Sequence, residues 1–384
     1  MKSVTSLALL AILCASILTA WVPERWPVAI LEIGGFVLFE LWVVRLAWRG
    51  ERPNLDPVLA APVLILLWGA LQMACGWTVA SSETARAMVG HAANLAILFA
   101  GLQTFGDRRA RERFLDGLLW FAFLLSFAAI LQAFTSNGKV FWLFAVNDPV
   151  HFMGPFLYHN HFAAFVEAVL PLALIPAVED ASKRLWYAFV TAILVAAVIV
   201  SASRSGVAII AMEVALVIAV REWRSRHRVR RMLPAAAVVL LMTVAVAATA
   251  GWESLSSRLS EQDPYFDRMQ MLRSSVDMIR DHAWTGVGLG NWPTAFPYYA
   301  RHDDGKFANQ AHNDWAQSAA ESGVVGLVAF GFLFAMAVRR GFRNVWGLGV
   351  VCVFVQAFAD YPFQKPQIAA VVFALLAAGA AEGE

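Results

Sequence analysis

Charge is scarce in this chain of 384 residues: only 15% are Asp, Glu, Lys or Arg, against 59% that are hydrophobic. A soluble protein of this length could not cover its surface with so few charges. Cysteine is scarce too. Cys14, Cys75 and Cys352 all lie in apolar runs, and no CxxC or Cys/His ligand spacing occurs. Neither a disulfide framework nor a zinc site is suggested, so the cysteines read as small buried hydrophobes. Ten-residue segments of alternating hydrophobicity, which a membrane barrel needs, are missing. Internal repeats and low-complexity segments are missing as well.

What the chain has is a series of apolar runs, each close to the ~20 residues that cross hydrocarbon as a helix. They fall at 4–22, 27–47, 57–75, 86–105, 115–135, 160–178, 186–202, 207–220, 232–250, 323–338, 345–360 and 367–381. The fold class is therefore all-α, a polytopic membrane protein with about 12 transmembrane helices. The first run follows Lys2 and ends near Leu18-Thr19-Ala20, a weak signal-peptidase site, but its apolar length fits a retained span better.

Basic residues cluster after the even-numbered spans: Arg45–Arg52, Arg108–Arg113, Lys183-Arg184, Arg221–Arg231 and Arg339–Arg343. The positive-inside rule puts these connectors, and both termini, in the cytoplasm. The odd connectors then lie outside, and polar chemistry gathers in them. They include Thr135–His159 (with Trp142, His151 and Tyr158), Ser201–Gly206, a long stretch at 251–322, and the turn at Asp360-Tyr361-Pro362. The chain thus divides into residues 1–250 with the first nine spans, a loop domain at 251–322, and residues 323–384 with the last three. The loop is expected to be partly helical. Phe266, Met269, Leu272, Val276 and Ile279 recur at helical spacing, so Tyr265–His282 reads as an amphipathic helix. Asn309–Ala320 is a second helix candidate leading into span 10.

Several residues suit chemistry on an anionic substrate. Arg204, in Ser203-Arg204-Ser205-Gly206, sits at the outer interface, against the inside bias of positive charge. It fits either a bidentate phosphate ligand or a snorkelling arginine paired with headgroups or a carbonyl. Arg268 and Arg273, on the loop helix, could join it in a cationic pocket for a diphosphate, or be solvated helix charges. His312, next to Asn313, could accept a proton from a hydroxyl or hold it by hydrogen bond; a surface or capping pair is the plainer alternative. Glu32, Glu40, Arg86, His91, Asn94, Glu167 and Glu213 fall within spans, where ionisable groups are functional suspects or paired ions. Arg86 could pair with Glu32 or Glu167. The run Gly286-Val-Gly-Leu-Gly290 lacks the strand and the βαβ setting of a dinucleotide site and reads as a tight turn.

Taken in order, Asn160-His161-Phe162-Ala163 at the start of a span, Ser203-Arg204-Ser205-Gly206, Arg268 opening the loop helix, Thr285–Asn291, Ala311-His312-Asn313 through Glu321-Ser322-Gly323, and Asp360-Tyr361-Pro362 resemble the motifs of the O-antigen ligase and polymerase superfamily. The resemblance covers about the last 230 residues, departing at Trp292-Pro293 after the glycine turn. It implies a GT-C-like membrane glycosyltransferase in the bacterial inner membrane, its loop in the periplasm, acting on a glycan carried by undecaprenyl diphosphate. No cofactor and no metal are implied. Arg204 and Arg268, with Arg273 as a weaker candidate, would stabilise the departing diphosphate, and His312 would orient or deprotonate the acceptor hydroxyl. Asn313, Asn160, His161, Arg86 and Glu321 would contact the diphosphate or the acceptor. A ligase passes the glycan to a lipid A–core sugar; a polymerase passes it to a second lipid-linked repeat. A non-enzymatic glycan transporter is the rival from another class. It calls for polar residues along several spans and for repeated halves, whereas polar residues here concentrate at the outer face. Nucleic acid is not expected as a partner.

Overall fold

The computed structural model describes residues 1–146, 152–180, 182–224, 266–301 and 307–381. The ninth expected span, His151, Arg258 and most of the basic run after Arg221 lie outside them. In chain order the α-helices are α1 (Lys2–Leu18), α2 (Trp26–Arg49), α3 (Ala60–Ala74), α4 (Ser81–Phe105), α5 (Arg108–Thr135), α6 (His159–Glu179), α7 (Arg184–Val200), α8 (Arg204–Arg224), α9 (Phe266–Asp281), α10 (Trp292–Tyr299), α11 (Asp314–Gly341), α12 (Leu348–Gln356) and α13 (Pro366–Ala380). A two-stranded antiparallel ribbon, Lys139–Val140 with Phe144–Ala145, is the only sheet among the described residues.

Among the described residues, six helical stretches are long and apolar enough to cross a membrane: Trp26–Arg49, Pro57–Ala74, Ser81–Phe105, Arg108–Thr135, His159–Glu179 and Asp314–Gly341. Lys2–Leu18, Arg184–Val200, Val345–Gln356 and Pro366–Ala380 are apolar and shorter. Their outer faces are greasy at helical spacing. Val37, Leu41 and Val44 on α2, Leu64, Leu67 and Leu71 on α3, and Leu124, Phe127 and Leu131 on α5 are all exposed. Such belts are intolerable in water and suit lipid. The chain is an all-α membrane protein.

α6 and α13 form the middle of the bundle. α6 is buried almost without interruption from His159 to Leu174, and α13 from Gln367 to Gly379. Lipid tails are as apolar as leucine, so helix association here depends on close packing rather than on escape from water. Small residues permit it. A Cβ on Gly101 would stand 2.6 Å from that of Ala377, and one on Gly349 would stand 2.4 Å from the Glu167 carbonyl oxygen. Of the carboxylates expected within spans, Glu167 and Glu213 are fully buried and none of their side-chain oxygens has a hydrogen-bond partner among the described residues, whereas Glu40 is exposed on α2.

One expectation for the loop changes and one holds. The helix at Asn309–Ala320 and the span at 323–338 are one element, α11, kinked at Gly323 (φ 59°, ψ −151°). The loop helix at Tyr265–His282 is α9, with Ser274, Ser275 and Met278 buried. Met278 joins Val287, Trp292, Ala295, Ala311 and Ala320 in a small second core separate from that of the bundle.

The bundle has two chemically distinct ends. At one, Arg113 at the start of α5 donates to Ser3 (3.0 Å). There Arg340 donates to the Leu376 carbonyl (2.9 Å) and pairs with Asp56. The other end gathers the turn before α4, the glycine turn, and the starts of α6, α8, α11 and α13.

Candidate functional site

The site grows from the first turn of α6. Tyr158 is in extended conformation just before it, and Asn160 lies within the turn. The Asn160 amide donates to the Tyr158 hydroxyl (3.0 Å) and to the Asp360 carboxylate. Its oxygen accepts from the Ser203 hydroxyl (2.6 Å), and its backbone carbonyl accepts from Gln356 Nε2 (3.2 Å). Ser203 Oγ in turn accepts from the Gly206 backbone N–H (3.0 Å), which caps the start of α8. The next residue, Arg204, is half-buried at that helix start. One asparagine thus ties the Ser-Arg-Ser-Gly turn to the Asp-Tyr-Pro turn.

Arg268, on the first turn of α9, joins from the loop. Its guanidinium donates to the Tyr158 hydroxyl and to the Ala359 carbonyl (3.0 Å). Arg273 is exposed five residues on, about 140° around the helix. It does not share the face that carries Arg268.

His312 completes the group from the segment before α11. Its backbone is left-handed (φ 51°), a strained conformation for a non-glycine residue. Neighbouring bonds hold it there. Ala311 N–H donates to Gln317 Oε1 (2.9 Å), and Asp314 N–H to the Ala357 carbonyl (2.9 Å). Asn313 caps α11 through Ala316 N–H (2.9 Å) and donates to the Phe358 carbonyl (2.8 Å). The imidazole stands edge-on to Tyr361 at 4.6 Å. Its Nδ1 is buried with no hydrogen-bond partner among the described residues; Asp360 Oδ1, at 3.8 Å, is too far for one. Burial, reinforced by the Arg268 guanidinium, lowers its pKa from 6.5 to about 4. The imidazole is therefore neutral at pH 7, and its contact with Asp360 is not an ion pair there.

Asp360 itself is pushed up by burial, with Arg268 as the strongest opposing influence. Lys365, whose ammonium lies 5.9 Å from the Tyr361 ring centre, is pulled down by burial. His161 packs edge-on to Tyr361 (4.7 Å) and Tyr158 (5.1 Å), and its Nε2 is buried without a hydrogen-bond partner among the described residues. The helix starts gathered here bring the positive ends of their dipoles to this end of the bundle. With Arg204, Arg268 and Lys365, this end of the bundle is suited to an anion.

The remaining sequence candidates stand apart from this network. Glu321 accepts from the backbone N–H groups of Gly290 (2.9 Å) and Trp292 (3.3 Å) and from Gln317 (2.9 Å). It holds the glycine turn against α11. Gln72 helps by donating to the Thr285 and Glu321 carbonyls (2.7 and 2.8 Å). Asn291 fastens the same turn to Thr78 and Thr84. The glycine run is thus a clamp between α3, α4 and α11. Arg86 pairs with Glu83 (3.0 Å), not with Glu32 or Glu167, and Glu32 pairs with Arg25 (3.3 Å). For Arg86, the i, i+3 neighbour Glu83 outcompetes partners that must cross between helices. Among the described residues no three His, Cys, Asp or Glu side chains are grouped to hold a metal ion.

Sequence reasoning overlooked Tyr158 as the partner of Arg268, and Lys365 as a further cation. Tyr158 resembled any interfacial aromatic, though it stands two residues before Asn160. A family model described as O-antigen ligase matches residues 189–331, from within α7 to within α11. The matched segment takes in Arg204, Arg268 and His312, and leaves out Asn160 and Asp360. No curated protein matches the chain.

Proposed function

We propose that this chain, a member of the O-antigen ligase superfamily, is a ligase-type glycosyltransferase. It moves a glycan from undecaprenyl diphosphate to a lipid A–core sugar hydroxyl at the periplasmic face, without a metal and with inversion. The observation that carries this reading is the single network joining Arg268, Tyr158, Asn160, Ser203 and Asp360, with His312 beside it.

The chemistry is displacement at an anomeric carbon. Positive charge develops on the sugar ring, and negative charge on the leaving diphosphate. Arg268 is held by Tyr158 and the Ala359 carbonyl, so its cation is in place before the charge develops. Arg204, one residue beyond the Ser203 link, supplies a second cation from the bundle. The acceptor hydroxyl donates its proton to neutral His312, whose Nδ1 has no competing donor among the described residues. A basicity near 4 is low for this task. Bound diphosphate would offset the Arg268 charge that helps depress it, and so raise the basicity when the donor is present.

The test is reconstitution with a lipid diphosphate-linked glycan, offering lipid A–core and a second lipid-linked repeat together. Transfer to lipid A–core is expected. It should be reduced at least about 100-fold in Arg268→Ala and His312→Ala, reduced in Arg204→Ala, and unaffected by excess chelator. Extension of the second repeat would make the chain a polymerase. Transport without transfer would overturn the enzyme reading.

A further inference from the structure

Several polar residues that the network does not use converge on another feature. A cleft of about 360 Å³ opens between the start of α2, α4 and the turn before α13. Along α4 it is lined by Glu83, Arg86, Gly90, His91 and Asn94, a spacing that puts them on one helical face. His91 and Asn94 lie ten and thirteen residues beyond Ser81, about 15 and 20 Å along the helix. They stand at membrane depth, and no hydrogen bond to the described protein engages either side chain. Unsatisfied polar groups at that depth are costly unless the site is wet or filled.

Charge narrows the ligand. Arg86 and Glu83 neutralise each other (3.0 Å), as do Arg25 and Glu32 (3.3 Å). Among the described residues that line it, the cleft has no excess cation to attract a diphosphate, unlike the group formed by Arg204, Arg268 and Lys365. It offers hydrogen-bonding groups to a neutral, hydroxyl-rich molecule. Beyond His91 and Asn94 it continues into an inner cavity lined by Ile65, Leu289 and Phe373 together with the polar side chains of Asp314, Ser318 and Glu321, while Phe363 borders both. Phe363 gives the C–H face of a sugar ring something to lie against.

The cleft borders the segment that carries His312. Gln310, on its wall, is two residues before His312. Gln364, also on its wall, donates to Asp314 (3.1 Å), two residues after His312. We propose that this cleft is a saccharide subsite, which holds the acceptor glycan with its hydroxyl directed to His312 while the diphosphate lies on the arginine side. The proposal rests on the glycosyltransferase reading above, and its test separates the two.

The test uses the full chain in nanodiscs. His91→Ala and Asn94→Ala remove the free hydrogen-bonding groups. Gly90→Leu blocks the cleft; a Cβ at Gly90 meets nothing within 4 Å, so the backbone there accepts a side chain, and an unchanged thermal midpoint checks that the variant folds. Transfer kinetics are read against both substrates, and saturation-transfer NMR reads binding of deacylated core oligosaccharide. Each alanine variant should raise the acceptor KM about tenfold, leaving donor KM and kcat within about twofold, and Gly90→Leu should abolish oligosaccharide binding. An unchanged acceptor KM in all three variants, a rise confined to the donor KM, or no oligosaccharide binding by the wild type would overturn the subsite. Binding by the wild type, lost in Gly90→Leu, with no transfer at all would overturn the enzyme reading and leave the subsite standing.

Discussion

At His312, burial and the Arg268 guanidinium together keep the ring neutral, and this has a pH signature. Its pKa falls from 6.5 in the unfolded chain to about 4 in the folded one. Between those values the unfolded chain binds the extra proton, so stability falls as the pH falls through that window. Unfolding midpoints of the wild type and of His312→Asn should diverge from pH 6.5 down to about 4, with the wild type losing more, and run parallel below. In activity, kcat/KM should hold from pH 7 to about 5 and fall only nearer 4; a fall centred at 6.5 would show an ordinary imidazole. Tyr158 supports the same site from another direction. Tyr158→Phe deprives both Arg268 and Asn160 of an acceptor. Hydrogen bonds to charged groups are worth about 1.5–3 kcal/mol, so transfer should drop about 10- to 100-fold. The thermal midpoint should fall only modestly, since Arg268 is partly exposed and the buried Asn160 amide keeps its Asp360 partner. Asn160 and His312 were legible as motif residues. The role of Tyr158, which opens the same motif, was not, because nothing in a one-dimensional pattern pairs it with an arginine 110 positions on.

Among the elements, α11 decides how the loop meets the bundle. Its kink at Gly323 has a conformation open essentially to glycine alone. A Cβ there would also stand 2.4 Å from the Trp284 carbonyl oxygen. The kink lets the Val324 N–H reach the Ala283 carbonyl (2.9 Å), while the glycine turn bonds to Ala320 and Glu321. Gly323→Ala should therefore lower stability by more than the 1–3 kcal/mol typical of such strain. It should also free the turn, seen as a lower unfolding midpoint and faster proteolysis near residue 285. Gly331→Ala, on the same helix with nothing within 4 Å, should be neutral or slightly stabilising. Helical periodicity announced α9 to within a residue at either end. It could not announce that Asn309–Ala320 and 323–338 form one kinked element, because a glycine between two helical patterns reads as a stop.

For the molecule as a whole, the separation of its two ends makes a topological prediction. Cys75 is exposed at the end of α3, beside the turn whose Val79 N–H donates to the Val287 carbonyl (3.0 Å). It therefore lies at the same end as the candidate site. If that end faces the periplasm, a membrane-impermeant thiol reagent added to spheroplasts should label Cys75, and leave Cys352, which is buried in the bundle, unmodified. Labelling only after lysis would invert the proposed orientation. Apolar runs and the scarcity of charge were enough to read an all-α membrane protein, since only a helix satisfies its own backbone in lipid. The order of the motifs was enough to point to the O-antigen ligase superfamily. Tertiary structure alone decided which residues meet. It gathered Asn160, Ser203, Arg268, His312 and Asp360 at one end, sent Arg273 around the far side of α9, and turned Glu321 to the glycine clamp. It also paired Arg86 with Glu83 and left His91 and Asn94 facing a cleft. Helical spacing fixes which residues share a face, but the partner that a face meets depends on crossings between helices far apart in sequence.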